Sequence, residues 1–333
     1  MRRFIVFVIF CNALSLRAQS ISGLSLLGQK LPGNEPVLFA PYIVSDELSN
    51  RDIAISPKGD EIFYCITTPG FIFSVIVHIK KVDGEWGAPE VASFSRDSRY
   101  KFIEPAFSHD GNTLYFSSNM PLIAGGEPVD NDIWAVKREG DGWGTPYNLG
   151  SPINSEGGEY FPSLTSEGTI YFTRNEPDES TSFIYRSTFN DSTGRFSEPL
   201  KLPAEINCGE DRYNAFVAPD ESFVVIPAEG VEENVYGSNY YIVFRGNDGG
   251  WTAPVNMGHH FNTNPGRGWS FSMSPDGKLI FFMASRAHLK VERPKSLSLK
   301  FLKKVFSGPE NGNSDIYWVN ASIINELRNK KFK

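Results

Sequence analysis

Ser274-Pro275-Asp276-Gly277-Lys278-Leu279-Ile280-Phe281-Phe282 joins a tight-turn signature to a run of apolar strand formers, and the same join recurs along the chain. The turn half returns as Ser56-Pro57-Lys58-Gly59, Ser108-His109-Asp110-Gly111, Thr165-Ser166-Glu167-Gly168 and Ala218-Pro219-Asp220-Glu221, at spacings of 52, 57, 53 and 56 residues. Pro at the second position presets φ and Gly at the fourth accepts a positive φ, so the signature closes a hairpin. The runs that follow, such as Leu114-Tyr115-Phe116 and Ile170-Tyr171-Phe172, read as buried strands. The turn acids Asp110, Glu167, Asp220 and Asp276 are therefore expected to serve structure rather than catalysis.

A second landmark keeps the period: Trp86-Gly87-Ala88-Pro89, Trp143-Gly144-Thr145-Pro146, Phe196-Ser197-Glu198-Pro199 and Trp251-Thr252-Ala253-Pro254. An aromatic followed by Pro suits an outer edge strand, where the missing N–H costs no ladder bond. Between the landmarks lies a third strand, as in Asp132-Ile133-Trp134 and Asp315-Ile316-Tyr317-Trp318. The unit is thus four antiparallel strands, and the expected fold is an all-β propeller of five blades. Pro36 stands 20 residues before Ser56, as the other edge prolines stand 19 or 20 before their turns, while the fifth unit stops at its third strand. The segment Pro36 to Pro41 is expected to supply the missing outer strand and close the ring.

These residues resemble the PD40 subgroup of WD40-like repeats, found in TolB-like propellers and in exported proteins of Bacteroidetes-type bacteria. The likeness rests on the Ser-Pro-Asp-Gly turn, the Leu-Tyr-Phe and Asp-Ile-Trp strands and the Trp-x-x-Pro edge, and runs from residue 36 to 319. It implies a six-bladed alternative, as in TolB, where the count here gives five. Its motif is structural and brings no catalytic residue.

Residues 1–18 read as a signal peptide: Arg2 and Arg3, an apolar stretch from Phe4 to Leu16, and Ala18 before a cut at Gln19. Cys11 suggests lipidation, but Phe10 before it is too large for a lipoprotein signal. Residues 19–333 are expected to form one propeller domain, with an insertion at 287–311 and a short C-terminal helix. The insertion mixes lysines with Leu297, Leu299, Phe301, Leu302, Val305 and Phe306, which suggests an amphipathic helix over the channel mouth. In the tail, Ile323, Ile324 and Leu327 share one helical face.

Without Arg2, Arg3 and Arg17 the formal net charge falls from −7 to −10, which argues against nucleic acid or an anionic membrane as the main partner. No later stretch is apolar enough to span a bilayer. The expectation is an exported, monomeric protein of the periplasm or cell surface of a Gram-negative bacterium. Cys65 and Cys208 are expected to be free.

Scaffold positions recur from blade to blade, and ligand positions need not. Asn154, Asn207 and Asn262, with Asp97 in register, lie eight residues after each edge Pro and read as turn-stabilising. The loops before the inner strands and after the second strands share one face, and their residues vary. They offer Arg51, Asp52, Glu104, Glu159, Tyr160, Arg174, Asp211, Arg212, Tyr213, Arg267, Trp269 and Arg286 as a candidate ring around the channel mouth. Arginines and aromatics there could hold an acidic glycan; alternatively, the arginines and carboxylates pair with each other across blades.

Two carboxylates among Asp52, Glu104, Glu159 and Asp211 could support glycoside hydrolysis if suitably spaced. No nucleophile motif, phosphate loop or metal triad is present, and no cofactor or metal is expected. His259 and His260, if extended, would point apart, and Asp130-Asn131-Asp132 lacks the rest of a calcium loop. The leading expectation is a non-catalytic binding or assembly module for a glycan, peptide or envelope protein. The alternative is a hydrolase or lyase acting on an acidic oligosaccharide.

Overall fold

The computed structural model describes residues 25–177, 181–232, 237–262, 267–287 and 294–332. The expected signal segment lies outside them. The described strands form five antiparallel blades, in the five-bladed rather than the six-bladed arrangement. From the channel outward, blade one runs Ser49–Ile55, Glu61–Thr67, Ser74–Val82, then the short edge pieces Glu85–Trp86 and Glu90–Val91. Blade two begins at Phe102–Phe107 and blade three at Glu159–Leu164. The inner strand of blade four is split into Asp211–Arg212 and Phe216–Val217, and blade five begins at Phe271–Met273.

The ring closes through the N-terminal segment. Val37–Leu38 pairs antiparallel with Asn311–Asn320, Leu38 opposite Tyr317 and Val37 opposite Trp318. The Phe39 N–H adds a bond to the Ile316 carbonyl (2.8 Å). Gln29 braces this strand, donating to the Leu38 carbonyl (2.8 Å) and accepting from the Ala40 N–H (2.7 Å). Phe39 also meets Trp318 and Phe281 edge-on, at ring centroids 5.0 and 5.1 Å apart. The edge proline has a consistent place in every blade. Pro36, Pro89, Pro146, Pro199 and Pro254 each stand immediately before an outermost piece: Val37–Leu38, Glu90–Val91, Tyr147–Asn148, Leu200–Lys201 and Val255–Asn256.

The hydrophobic core is divided among the blade interfaces. Phe39, Tyr64, Phe281 and Trp318 fill the space between blades five and one. Phe63, Phe102, Phe116 and Trp134 do so between one and two, and Tyr171, Val224 and Tyr241 between three and four. Each large apolar side chain so buried contributes about 1.5–3 kcal/mol. The helix Ser322–Lys331 buries Ile323, Ile324 and Leu327 in the cluster between blades four and five. Cys65 and Cys208 are free and buried.

Gly59, Gly111, Gly168 and Gly277 close the turn signatures at φ of 68°, 71°, 78° and 69°. Blade four places Glu221 there, at φ 54°. Its carboxylate accepts from the Tyr171 hydroxyl (2.6 Å) and pairs with Arg186 and Arg245 (3.3 Å each), tying blade three to blade four. That contact offsets the left-handed backbone, which is less favourable for a side chain than for glycine.

The three register-matched asparagines splint the third strands. Asn154 accepts from the Ile133 N–H (2.9 Å) and donates to the Ile133 carbonyl (3.0 Å). Asn207 does the same for Ile184 (2.7 and 3.2 Å), and Asn262 for Tyr240 (2.7 and 3.1 Å). In blade five Ser45 bonds both groups of Ile316 at 3.1 Å, and in blade one Ser95 donates to the Ile76 carbonyl (2.9 Å). Asp97 instead engages Arg99 at the surface (2.7 Å). A buried strand whose edge loses such a partner leaves polar backbone groups unmade, so Asn207→Ala is expected to lower stability by about 1–3 kcal/mol. Urea unfolding checks this: an unchanged midpoint would mean the splint is dispensable.

Candidate functional site at the central channel

The channel is organised by one backbone irregularity repeated around the ring. Four residues before each turn signature stand Asp52, Glu104, Phe161, Asn214 and Ser270. The first four adopt φ of 54°, 63°, 52° and 50°, and the inner-strand registers shift beside Asp52, Glu104 and Phe161. Such a bulge takes a residue out of the ladder and re-aims its side chain. The freed N–H groups bond to the neighbouring blade. Glu104 donates to Cys65 Sγ (3.2 Å), Phe161 to Ser117 Oγ (3.1 Å), Asn214 to Thr173 Oγ1 (2.9 Å) and Asp52 to Ser270 Oγ (3.1 Å).

These re-aimed side chains form a buried polar cluster. Arg51 Nε lies 2.6 Å from Asp52 Oδ2, and its terminal nitrogen 3.1 Å from Glu104 Oε1. Arg51, Asp52 and Glu104 are each only 4% exposed. Glu104 also accepts from Ser117 Oγ (2.9 Å), the Phe161 N–H (2.8 Å) and the Asn214 amide (3.4 Å). Asn214 in turn donates to the Trp269 carbonyl (2.7 Å). The Arg51 guanidinium sits 5.4 Å from the Trp269 ring and 5.9 Å from that of Phe71.

Burial and the neighbouring Asp52 charge push the Glu104 carboxyl up from 4.5 to about 7, against the pull of Arg51 and the donors from Phe161 and Ser117. Burial works against the Arg51 charge, but Asp52 and Glu104 outweigh it and raise its pKa. Asp52 Oδ1 has no hydrogen-bond partner among the described residues.

The remaining candidates divide by environment. Glu159 is fully buried and paired with Arg174 (2.7 Å) and Ser155, while Arg174 also donates to the Pro152 and Ile153 carbonyls. Arg212 is buried and donates to the Cys208, Gly209 and Ser182 carbonyls and to Thr181 Oγ1. Asp211 accepts from Thr181 and Ser182 across the interface of blades three and four. Arg286 donates to the His260 carbonyl (3.0 Å) and covers the Tyr317 ring. These groups hold loops and blades together. Tyr160 and Tyr213 are half-buried, with burial raising both phenols, Tyr213 to about 12. Arg267 is exposed and Trp269 half-buried.

His259 and His260 do not point apart. They lie in a turn rather than in extended chain, their ring centroids are 4.1 Å apart, and His260 Nδ1 is 3.2 Å from Glu35. Among the described residues, no group of three or more His, Cys, Asp or Glu is disposed to hold a metal.

A cavity of about 220 Å³ runs from the Asp52 and Glu104 end of the channel to the turn signatures, reaching the exposed His109 and Pro219. Its wall includes a second ring two residues before each turn: Ala54, Ala106, Ser163, Phe216 and Ser272. Four of these five are small, which keeps the space open, and Phe216 alone is bulky. Sequence reasoning missed this ring, Ser270 and Phe71. Counting back a fixed two or four places from each turn signature would have found all but Phe71.

No known protein family and no curated protein matches the chain. Solved structures share the fold. A protein solved in an RGII complex superposes with a TM-score of 0.52 at 8% identity, covering 86% of this chain and 92% of its own. One described as a glycoside hydrolase gives 0.50 at 9% identity, covering 87% and 92%. A TolB-like protein from Agrobacterium tumefaciens gives 0.44 at 13% identity, covering 82% and 90%. At such identities the likeness is one of fold.

Two outcomes test the polar cluster. Arg51→Met leaves two carboxylates buried without their cation and is expected to cost about 3–5 kcal/mol by chemical denaturation. A loss under about 1 kcal/mol would contradict the pairing. Glu104, with its raised pKa, holds a proton in the folded chain that the unfolded chain releases near pH 4.5. Its contribution is therefore complete below that pH and is lost as the pH rises toward 7. Asp315, raised by burial from 3.8 to about 7, acts with the same sign. Glu104→Gln should thus shrink, without abolishing, the fall in melting temperature between about pH 5 and pH 8.

Proposed function

We propose that this chain is an exported envelope protein of the PD40, TolB-like kind, whose propeller is a non-catalytic binding or assembly module for a glycan, peptide or protein partner. One observation carries the reading. The guanidiniums of Arg51, Arg174, Arg212 and Arg286 are all engaged inside the protein, while the open space of the channel is walled largely by small and apolar side chains. A largely apolar slot with a few buried polar groups at one end suits recognition of a projecting side chain or ring. No helix among the described residues is long and apolar enough to cross a membrane.

A second reading, a hydrolase or lyase on an acidic oligosaccharide, draws support from Asp52 and Glu104. They share Arg51 at the end of the cavity, and Glu104 has the raised pKa that a general acid needs. The propeller solved as a glycoside hydrolase lends the fold alone.

A thermal-shift screen against neutral and acidic oligosaccharides, peptidoglycan fragments and short peptides separates the readings. A ligand at about a hundred times its Kd adds about 2.7 kcal/mol to stability. The expected result is a shift without turnover, lost in Ala106→Leu, which narrows the channel. A shift lost instead in Arg267→Ala would move the ligand to the opposite face. Product release that disappears in Glu104→Gln would replace the binding module with the enzyme.

A further inference from the structure

The loops joining second to third strands emerge at one end of the ring, together with the loops that lead into the inner strands. Exposed large apolar side chains gather on this end of blades five, one and two. Ile72 and Phe73 are 71% and 50% exposed, Leu122 and Ile123 76% and 80%, and Leu299 and Phe306 69% and 66%. The corresponding loops of blades three and four contribute none among the described residues. Single exposed apolar residues need no explanation, but a gathering of them on one side of a face does.

The helix Leu299–Phe306 gives the patch its character. It is capped by Ser298, whose side chain accepts from the Phe301 N–H, and it buries none of its residues. At about 100° per residue, Phe301 and Val305 fall together, Leu302, Phe306 and Leu299 fall beside them, and Lys300, Lys303 and Lys304 occupy the rest of the circumference. Phe301 and Val305 are half-buried, whereas Leu299, Leu302 and Phe306 face outward. The helix is moored at its C-terminal end: the Asn311 amide donates to the Phe306 carbonyl (3.2 Å) and the Glu47 carbonyl (3.0 Å). Asn313 donates to the same Glu47 oxygen (2.9 Å).

From residue 294 to 306 there are four lysines and no acid, in a chain whose net charge is −7. We propose that this end of blades five, one and two docks on an anionic lipid bilayer, with Leu299, Leu302 and Phe306 entering the interface and Lys300, Lys303 and Lys304 meeting the headgroups. The arrangement of an apolar ridge bordered by lysines is that of an interfacial helix. The charge of the segment, opposite to that of the rest of the protein, selects an anionic surface over a neutral one. The proposal is independent of what the channel binds.

The test is co-sedimentation of the chain starting at Gln19, upstream of every strand of the ring, with vesicles of phosphatidylcholine alone or with about one third phosphatidylglycerol. Binding is expected with the anionic vesicles and at least about tenfold weaker with the neutral ones. Replacing Lys300, Lys303 and Lys304 together by Gln should weaken anionic-vesicle binding about a hundredfold, at about fivefold per lysine. Leu299→Ser with Phe306→Ser should weaken it at least about tenfold, with the melting temperature unchanged because both side chains are exposed. Failure to bind either vesicle, or binding that both variants leave intact, overturns the proposal. Self-association that depends on Leu299 and Phe306, seen by sedimentation velocity without lipid binding, overturns it in favour of a second copy.

Discussion

Left to its own strands, the fifth sheet would stop one short and the ring would stay open, and the two-residue ladder of Val37–Leu38 on Tyr317–Trp318 supplies what is missing. The ladder is short, so the surrounding contacts matter more than its own bonds. Gln29 holds the strand from one side, Ser45 holds Ile316 from the other, and Phe39 fills the gap between Phe281 and Trp318. The interface of blades five and one depends on this closure most directly, because Phe39 is part of its apolar cluster.

Much of this was legible in the sequence, because scaffold features repeat and repetition can be counted. The turn signatures gave the inner hairpins, and the edge prolines gave the outer strands and the blade count, including the orphan at Pro36. The asparagines were visible as a repeat, but their task of bonding both backbone groups of Ile133, Ile184 and Tyr240 was not, since that depends on strand register.

The candidate site was harder to read. Sequence grouped Arg51, Glu159 and Arg212 by their distance from a turn, yet a bulge sends Asp52 and Glu104 into the channel while Glu159 and Arg212 turn back into the blades. Pattern alone cannot say which way a side chain leaves an irregular strand. The same limit hid the cavity: a ring of Ala and Ser two places before each turn matters only once five strands converge on an axis.

Closure by both ends also sets the order in which the protein can be made. Val37 and Leu38 leave the ribosome well before their partner strand, which is synthesised some 280 residues later, and must wait for it unpaired. Until then the nascent ring is an open arc in which the N-terminal strand lacks its partner and the last sheet its outer strand, a state prone to joining a neighbouring chain. Closure therefore waits until Tyr317 and Trp318 have been made, because it rests on a long-range contact that no local segment can anticipate.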